Sequence, residues 1–211
     1  MRPDDLHIRT LQTQIASSNQ AAFASLFRLF YPRLHSFSLQ YVHVHEVAEE
    51  ITNDVFVKLW NRRADLLQIQ NLSTYLFVAV KNYSLNYLKQ YSHIHVVIED
   101  QEGAAGLINR NNPAQELEWK EICFELNQAI EQLPDQCRTV FKLVKEEGFK
   151  YKEVAEILGL SPRTVETQLF RALKKLQAVA NVYLENAGRK PRKNPPPISS
   201  LAFLPLLSLF F

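Results

Sequence analysis

Glycine and cysteine are scarce in this sequence, and their scarcity narrows the choice of fold. Only five of the 211 residues are glycines, and no stretch shows the alternation of polar and apolar residues that indicates a half-buried strand. The two cysteines, Cys123 and Cys137, form no CxxC pair and lie in helical patterns, which favours buried free thiols in a reducing compartment. Because amphipathic helical periods recur along the chain instead, the sequence predicts an all-α protein.

A large excess of charge of either sign is also absent. The 24 Lys and Arg residues against 22 Asp and Glu residues give a net charge of +2, so any basic surface for nucleic acid must be local. The sequence has no Walker loop, no GxSxG motif and no HExxH motif, and its carboxylates are spread over helix surfaces. We therefore expect that the protein is not an enzyme and that it uses no cofactor.

The histidines provide only a weak argument for metal binding. His43 and His45 form one HxH pair, and His93 and His95 form a second. Alternate residues do not share a face of a helix, and no nearby cysteine completes a zinc-binding set. We expect no metal site.

No apolar run in the sequence has the length of a membrane-spanning helix. Residues 198–211 form an apolar run of 14 residues that contains Pro205, whereas a span takes ~20 residues. The first ten residues, MRPDDLHIRT, are too polar for a secretory signal. We expect the basic, proline-rich and apolar tail to be disordered; contact with a membrane or a partner, helped by the basic residues 189–193, is an open alternative.

Two blocks of helical pattern, separated by a stretch without one, divide the chain. The intervening stretch carries glycines, asparagines, a proline and three acidic residues, which predicts a linker. The sequence thus predicts two small helical domains joined by a flexible linker. The expected boundaries are an amino-terminal segment over 1–18, a first domain over 19–92, the linker over 93–115, a second domain over 116–185 and the tail over 186–211.

Local signals place the ends of several helices. Pro32 lies inside the first periodic block and predicts a kink or break near Tyr31. In the second domain, the sequence predicts a helix with Asp135 as its N-cap and Gly148 as its carboxy-terminal stop.

A helix-turn-helix pattern lies in residues 151–176, YKEVAEILGLSPRTVETQLFRALKKL. Gly159 suits the left-handed residue that ends a helix. Ser161 is a good N-cap, and Pro162 is favoured at the first helical position. Only two residues separate Gly159 from Pro162, which is the spacing of a helix-turn-helix motif.

The second helix of this pair has two distinct faces. Aliphatic residues from Val165 to Leu176 share one face, and the other carries four basic residues against one acid, Glu166. A recognition helix in the major groove of DNA needs apolar support behind and basic groups in front, although a solvated charged face is the simpler alternative for the lysines and arginines. Phe170, on the outward face, could contact thymine methyl groups or pack against a neighbouring helix, and the pattern leaves both open.

Over residues 19–185 the chain resembles the two-domain sigma factors of bacterial RNA polymerase, the extracytoplasmic-function class (group 4) of the sigma-70 family. The segment LPDQCRTVFKLVKEEGFKYKEVAEILGLSPRTVETQLFRALKKL resembles region 4, which reads the −35 promoter element. The segments AEEITNDVFVKLW and LSTYLFVAVKNYSLNYLKQ resemble regions 2.2 and 2.3–2.4. The resemblance implies a cytoplasmic sigma factor that directs promoter-specific initiation.

The resemblance also implies partners and site residues. The implied partners are core RNA polymerase, promoter DNA and an anti-sigma factor. Contact with core polymerase would be made through its β′ clamp helices and its β flap. Any association with a membrane would be indirect, through the anti-sigma factor. The implied −35 contacts are Arg163, Thr164, Glu166, Thr167, Gln168, Phe170, Arg171, Lys174 and Lys175. The implied core-binding residues are Glu49, Glu50, Asn53, Asp54 and Lys58.

For the −10 element, the resemblance points to the loop Ala64–Ser73 and the helix after it. Members of this family extrude a base there, and the cost of a few kcal/mol is recovered in a pocket of hydrogen bonds and stacking. The implied contacts are Gln68, Gln70, Asn71, Tyr75, Lys81, Asn82, Asn86 and Lys89. This loop is richer in amides and poorer in charge than is common in the class.

Two other functions are considered beside the sigma factor. The first is a helix-turn-helix regulator that binds operator DNA as a dimer without polymerase. The stretch that resembles region 2.2 argues against it, because such a regulator needs no polymerase-docking helix. The second is a membrane-associated interaction protein, and it depends on the tail alone.

Overall fold

The computed structural model describes residues 3–91 and 124–186, and every regular element within these ranges is helical. These residues divide into two compact units, one built mainly from the amino-terminal helices and the other mainly from the carboxy-terminal helices. The predicted all-α class is confirmed. The predicted linker, Cys123 and the tail from residue 187 onwards lie outside the described residues.

The amino-terminal helices surround an aromatic and aliphatic core. Helix α2 packs against α3 and α4, and the largest buried side chains are Phe30, Phe56 and Phe77. A hydrogen bond of 3.0 Å between the buried hydroxyls of Ser38 and Ser84 joins α2 to α4. The elements are α1 (Pro3–Ala16), α2 (Gln20–Val42), α3 (His45–Asn61), a 3-10 helix (Arg63–Gln68) and α4 (Leu72–Tyr91).

Helix α1 lies in the amino-terminal segment, for which the sequence analysis predicted no structure. It contacts α2 and the 3-10 helix, and it buries Ile8, Leu11 and Ile15. These three residues recur at helical spacing, so the signal was present in the sequence but short.

Of the predicted kink or break near Tyr31, the break is wrong, because α2 continues from Gln20 to Val42 through Pro32. Proline removes one backbone hydrogen bond from a helix interior. Pro32 is exposed, while Phe30, Leu34 and Phe37 around it are buried. Burial of these side chains offsets the lost hydrogen bond, since each contributes roughly 1.5–3 kcal/mol.

The carboxy-terminal helices are α5 (residues 124–131), α6 (Asp135–Phe141), α7 (Tyr151–Leu158) and α8 (Pro162–Asn186), with a π-helical turn over Lys142–Glu146. The N-cap of α6 is Pro134, so the prediction of Asp135 was wrong by one position. Asp135 occupies the first turn instead and forms an ion pair of 2.7 Å with Arg138. Gly148 adopts a φ of +68°, as a carboxy-terminal stop requires.

Among the described residues, no helix combines the length and hydropathy that a membrane span needs. The tail, which carries the apolar run of the sequence, is not among them.

Candidate nucleic-acid interface

The turn between α7 and α8 has the geometry that its residues predict. Gly159 adopts a φ of +71°, and the amide of Leu160 donates to the carbonyl of Ala155 at 2.9 Å, as in a glycine-terminated helix. Ser161 Oγ accepts from the amide of Thr164 at 3.0 Å, which makes Ser161 the N-cap of α8. Pro162 is the first helical residue, so the predicted helix start is confirmed.

Helix α8 separates its buried and exposed residues cleanly. Val165, Leu169, Ala172 and Leu176 are buried, as the pattern predicted, while Leu173, predicted on the same face, is half-buried. Phe170 is 50% exposed among the described residues, so half of its side chain is open to contact. Most of the predicted −35 residues share its exposed face: Arg163, Glu166, Thr167, Arg171, Lys174 and Lys175.

Gln168 and Thr164 differ from the rest of the predicted −35 set. The side-chain amide of Gln168 donates to Gln136 Oε1 at 2.7 Å, and its carbonyl accepts from Cys137 Sγ at 2.9 Å. Gln168 therefore bonds to α6, and Cys137 is a buried free thiol, as predicted. The hydroxyl of Thr164 lies 2.8 Å from Ser161 Oγ, within the cap of α8.

The predicted core-binding residues lie together on the outer face of α3. Glu49, Glu50, Asn53 and Asp54 are all exposed. Buried residues of the same helix, including Ile51, Val55 and Phe56, fix the direction of this face. The result is a predominantly acidic and amide surface on a well-packed helix.

Lys58 joins this face of α3 to α4. Its ammonium lies 3.8 Å from Asp54 Oδ2 and 3.9 Å from the centroid of the Tyr83 ring. Val57 beside it is 57% exposed, an apolar residue on a polar face that the sequence analysis did not single out. Val55 and Phe56, the two residues before it, are buried and face the core. Because successive residues of a helix point in different directions, Val57 faces outward although it is apolar.

The predicted −10 loop, Ala64–Ser73, overlaps the 3-10 helix Arg63–Gln68 at its start and the first turn of α4 at its end. The side chain of Leu66 is buried beneath it, while Gln68 and Gln70 are exposed. Asn71 precedes α4, and its Oδ1 accepts from the amide of Thr74 at 3.1 Å, as an N-cap side chain does.

A shallow depression runs along α4 beyond the loop. It brings together three predicted −10 residues, Tyr75, Asn82 and Asn86. Tyr83, Val78 and Ala79 complete its lining and were not in the predicted set. The depression therefore offers amide groups beside aromatic and aliphatic surface, which suits an unstacked base.

The two predicted lysines of α4 do not line this depression. Lys89 is exposed near the end of the helix. Lys81 is half-buried, and burial lowers the pKa of its ammonium because desolvation disfavours the charged form. Both lie on the helix that carries the depression, so their charges are near it without forming its lining.

Family models match both parts of the chain. The model described as "Sigma-70 region 2" matches residues 26–94, and "Sigma-70, region 4" matches residues 123–176. The first match covers α2 from residue 26 onwards, α3 and α4, and the second covers α5, α6, α7 and α8 up to residue 176.

Individual proteins of the same family align over most of the chain. The RNA polymerase sigma-H factor of Pseudomonas aeruginosa is 23% identical over 184 residues, which cover 84% of this chain and 95% of that protein. The ECF RNA polymerase sigma factor SigM of Bacillus subtilis is 22% identical and covers 74% of this chain and 93% of its own length.

A solved structure has the same fold. It is the sigma factor RpoE in complex with the anti-sigma factor NepR from Bartonella quintana, with a TM-score of 0.54 and 22% identity. The likeness covers 76% of this chain and 97% of RpoE. The matches to regions 2 and 4, and the alignment with named sigma factors, show that this chain belongs to the extracytoplasmic-function class of the sigma-70 family and is a non-enzymatic sigma factor that binds core RNA polymerase and directs transcription initiation.

Proposed function

We propose that α8 reads the −35 promoter element through its exposed face. The observation that carries this proposal is the arrangement of side chains on α8. The helix has a capped start, a buried aliphatic face and an opposite face with arginines and lysines. A guanidinium can bond to a guanine edge with two hydrogen bonds, and lysines neutralise phosphates. The contact set is Arg163, Glu166, Thr167, Phe170, Arg171, Lys174 and Lys175.

Thr164 and Gln168 have a different role in this proposal. Their side chains are occupied by the helix cap and by α6. We assign them to holding α8 in place, and the base contacts to their exposed neighbours.

The −10 element is read by the loop before α4 and by the depression along α4. Gln68 and Gln70 surround an extruded base, with Asn71, whose Oδ1 caps α4, at the edge of the site. Tyr75 provides a partly exposed ring for stacking. Asn82, Asn86, Lys81 and Lys89 follow the strand along the helix. The cost of extruding the base, a few kcal/mol, is recovered by these contacts, and this helps to open the duplex.

Helix α3 docks on the β′ clamp helices of polymerase. Its exposed carboxylates Glu49, Glu50 and Asp54, with Asn53 and Lys58 between and beside them, suit a basic partner. The second domain contacts the β flap. The presence of a region 2 match on the same chain as the helix-turn-helix also argues against an independent operator-binding regulator.

An anti-sigma factor is the remaining partner in the proposal. The related RpoE of Bartonella quintana was solved with its anti-sigma factor NepR. We propose that this protein is likewise held by an anti-sigma factor and that it acts in the cytoplasm, with any link to a membrane running through that partner.

The −35 assignment can be tested with Arg171→Ala in holoenzyme assembled from core polymerase and the full chain. Binding to a −35 duplex should weaken by about 1–3 kcal/mol, and the preference for the base pair that Arg171 contacts should relax. Arg28→Ala removes the same charge from an exposed position on α2 and serves as the control. Equal losses for the two variants would indicate a general effect of charge and would contradict the proposal.

A further inference from the structure

Gln12 is a buried polar residue on the apolar side of α1. It is 5% exposed and lies in the chain between Leu11 and Ile15, which are also buried. Burying an amide is unfavourable unless its polar atoms are hydrogen-bonded. The partners of Gln12 therefore explain why a polar residue is tolerated at this position.

Both partners are backbone carbonyls of the proposed −10 loop, Ala64–Ser73. The side-chain nitrogen of Gln12 donates to the carbonyl of Leu66 and, at 2.8 Å, to the carbonyl of Ile69. These carbonyls lie at the end of the 3-10 helix, where the chain turns extended at Ile69, with φ −80° and ψ 113°. An amide that bonds to both sides of this transition fixes the path of the backbone through it.

The loop is thus held at three points. The side chain of Leu66 is buried below it, Gln12 holds two of its carbonyls, and Asn71 caps α4 at its far end. Between these points Gln68 and Gln70 are exposed. A loop that is fixed in this way presents exposed side chains in one arrangement, without an ordering cost at the moment of binding.

We infer that Gln12 is a positioning residue for −10 recognition: through two hydrogen bonds from α1 it fixes the loop that carries Gln68 and Gln70. This inference rests on the proposed role of the loop. Gln12 lies before the region 2 match, which begins at residue 26. If Gln12 positions the loop, α1 is one of the parts of the protein that determine promoter specificity.

The test compares Gln12→Met with Gln14→Met in holoenzyme. Methionine keeps the length of glutamine but donates no hydrogen bond. Gln14 is exposed on the same helix, so its variant controls for the new side chain. The first measurement is binding to partly single-stranded promoter DNA in which each −10 base is changed in turn. The second is the affinity for core polymerase, and the third is the rate of amide hydrogen exchange of residues 66–71.

For Gln12→Met we expect the preference for the best −10 base over the others to fall about fivefold or more, for the loss of roughly one good contact. Core affinity and −35 preference should stay within about twofold of the unsubstituted protein, and amides of residues 66–71 should exchange faster. Gln14→Met should change none of these. Gln12→Asn keeps the amide donors on a shorter side chain, and it should lose less base preference than Gln12→Met. It replaces Gln12→Met in the test if the methionine variant folds poorly.

The inference is overturned if base preference is unchanged while exchange accelerates, because Gln12 then only stabilises the fold. It is overturned as well if exchange is unchanged, since the two hydrogen bonds then do not hold the loop. Alanine variants of Gln68 and Gln70 separate this failure from failure of the proposed −10 site. If those variants also leave base preference unchanged, the loop does not read DNA, whatever Gln12 does to its backbone.

Discussion

The side-chain amide of Gln168 donates a hydrogen bond of 2.7 Å to Gln136, and its carbonyl accepts one from Cys137. A residue of α8 is thereby joined to α6. The outward direction of the polar face of α8 thus depends in part on a hydrogen-bond network on its other side.

Replacing Gln168 by alanine should affect stability rather than base preference. Loss of its hydrogen bonds should lower the free energy of unfolding by about 1 kcal/mol, which chemical denaturation would measure. Thr167→Ala, on the exposed neighbouring position, should leave stability within about 0.5 kcal/mol and weaken −35 binding instead. A change in −35 base preference for Gln168→Ala without any loss of stability would show that its amide faces DNA.

Phe170 and Leu169 are neighbours in the chain with opposite environments. Leu169→Ala should lower the free energy of unfolding by about 2–5 kcal/mol because it leaves a cavity in the core. Phe170→Ala should cost about 1 kcal/mol, since only half of the side chain is buried, but it should weaken −35 binding.

The contact of Phe170 with thymine methyl groups can be measured separately. Replacing thymine by uracil in the −35 duplex removes the methyl group and should weaken binding of the unsubstituted protein. The alanine variant should bind the two duplexes equally. If both proteins lose the same amount of affinity, Phe170 does not contact a methyl group.

Asp54→Arg should weaken binding to core polymerase. The substitution reverses a charge in the middle of the acidic face of α3, and like charges across an interface are costly. The lost ion pair with Lys58 is exposed and contributes only about 0–1 kcal/mol, so the fold should persist. Asp65→Arg makes the matching charge reversal on an exposed position of the 3-10 helix, in the same domain and outside the proposed core-binding set. Core binding that falls equally for both variants would argue against α3 as the docking surface.

The sequence predicts the helix-turn-helix well because each of its signals is local. Gly159, Ser161 and Pro162 determine the turn through their own backbone preferences, and the structure follows them. The buried face of α8 is equally readable from its period.

Other features depend on contacts between residues far apart in the chain. Gln12 bonds to carbonyls 54 and 57 residues away, and no local pattern indicates such partners. Gln168 shares the polar character of the recognition helix, but its position beside α6 decides what it touches. Pro32 is the reverse case, in which a strong local signal is overridden by the packing of the residues around it.

The central claim is tested most directly by run-off transcription with core polymerase on promoter fragments from the source organism, with and without this protein. The account predicts specific transcripts only when both are present, together with a loss of those transcripts for Asp54→Arg and weaker −35 use for Arg171→Ala. If the protein binds DNA alone and never directs initiation by the core enzyme, the account is contradicted.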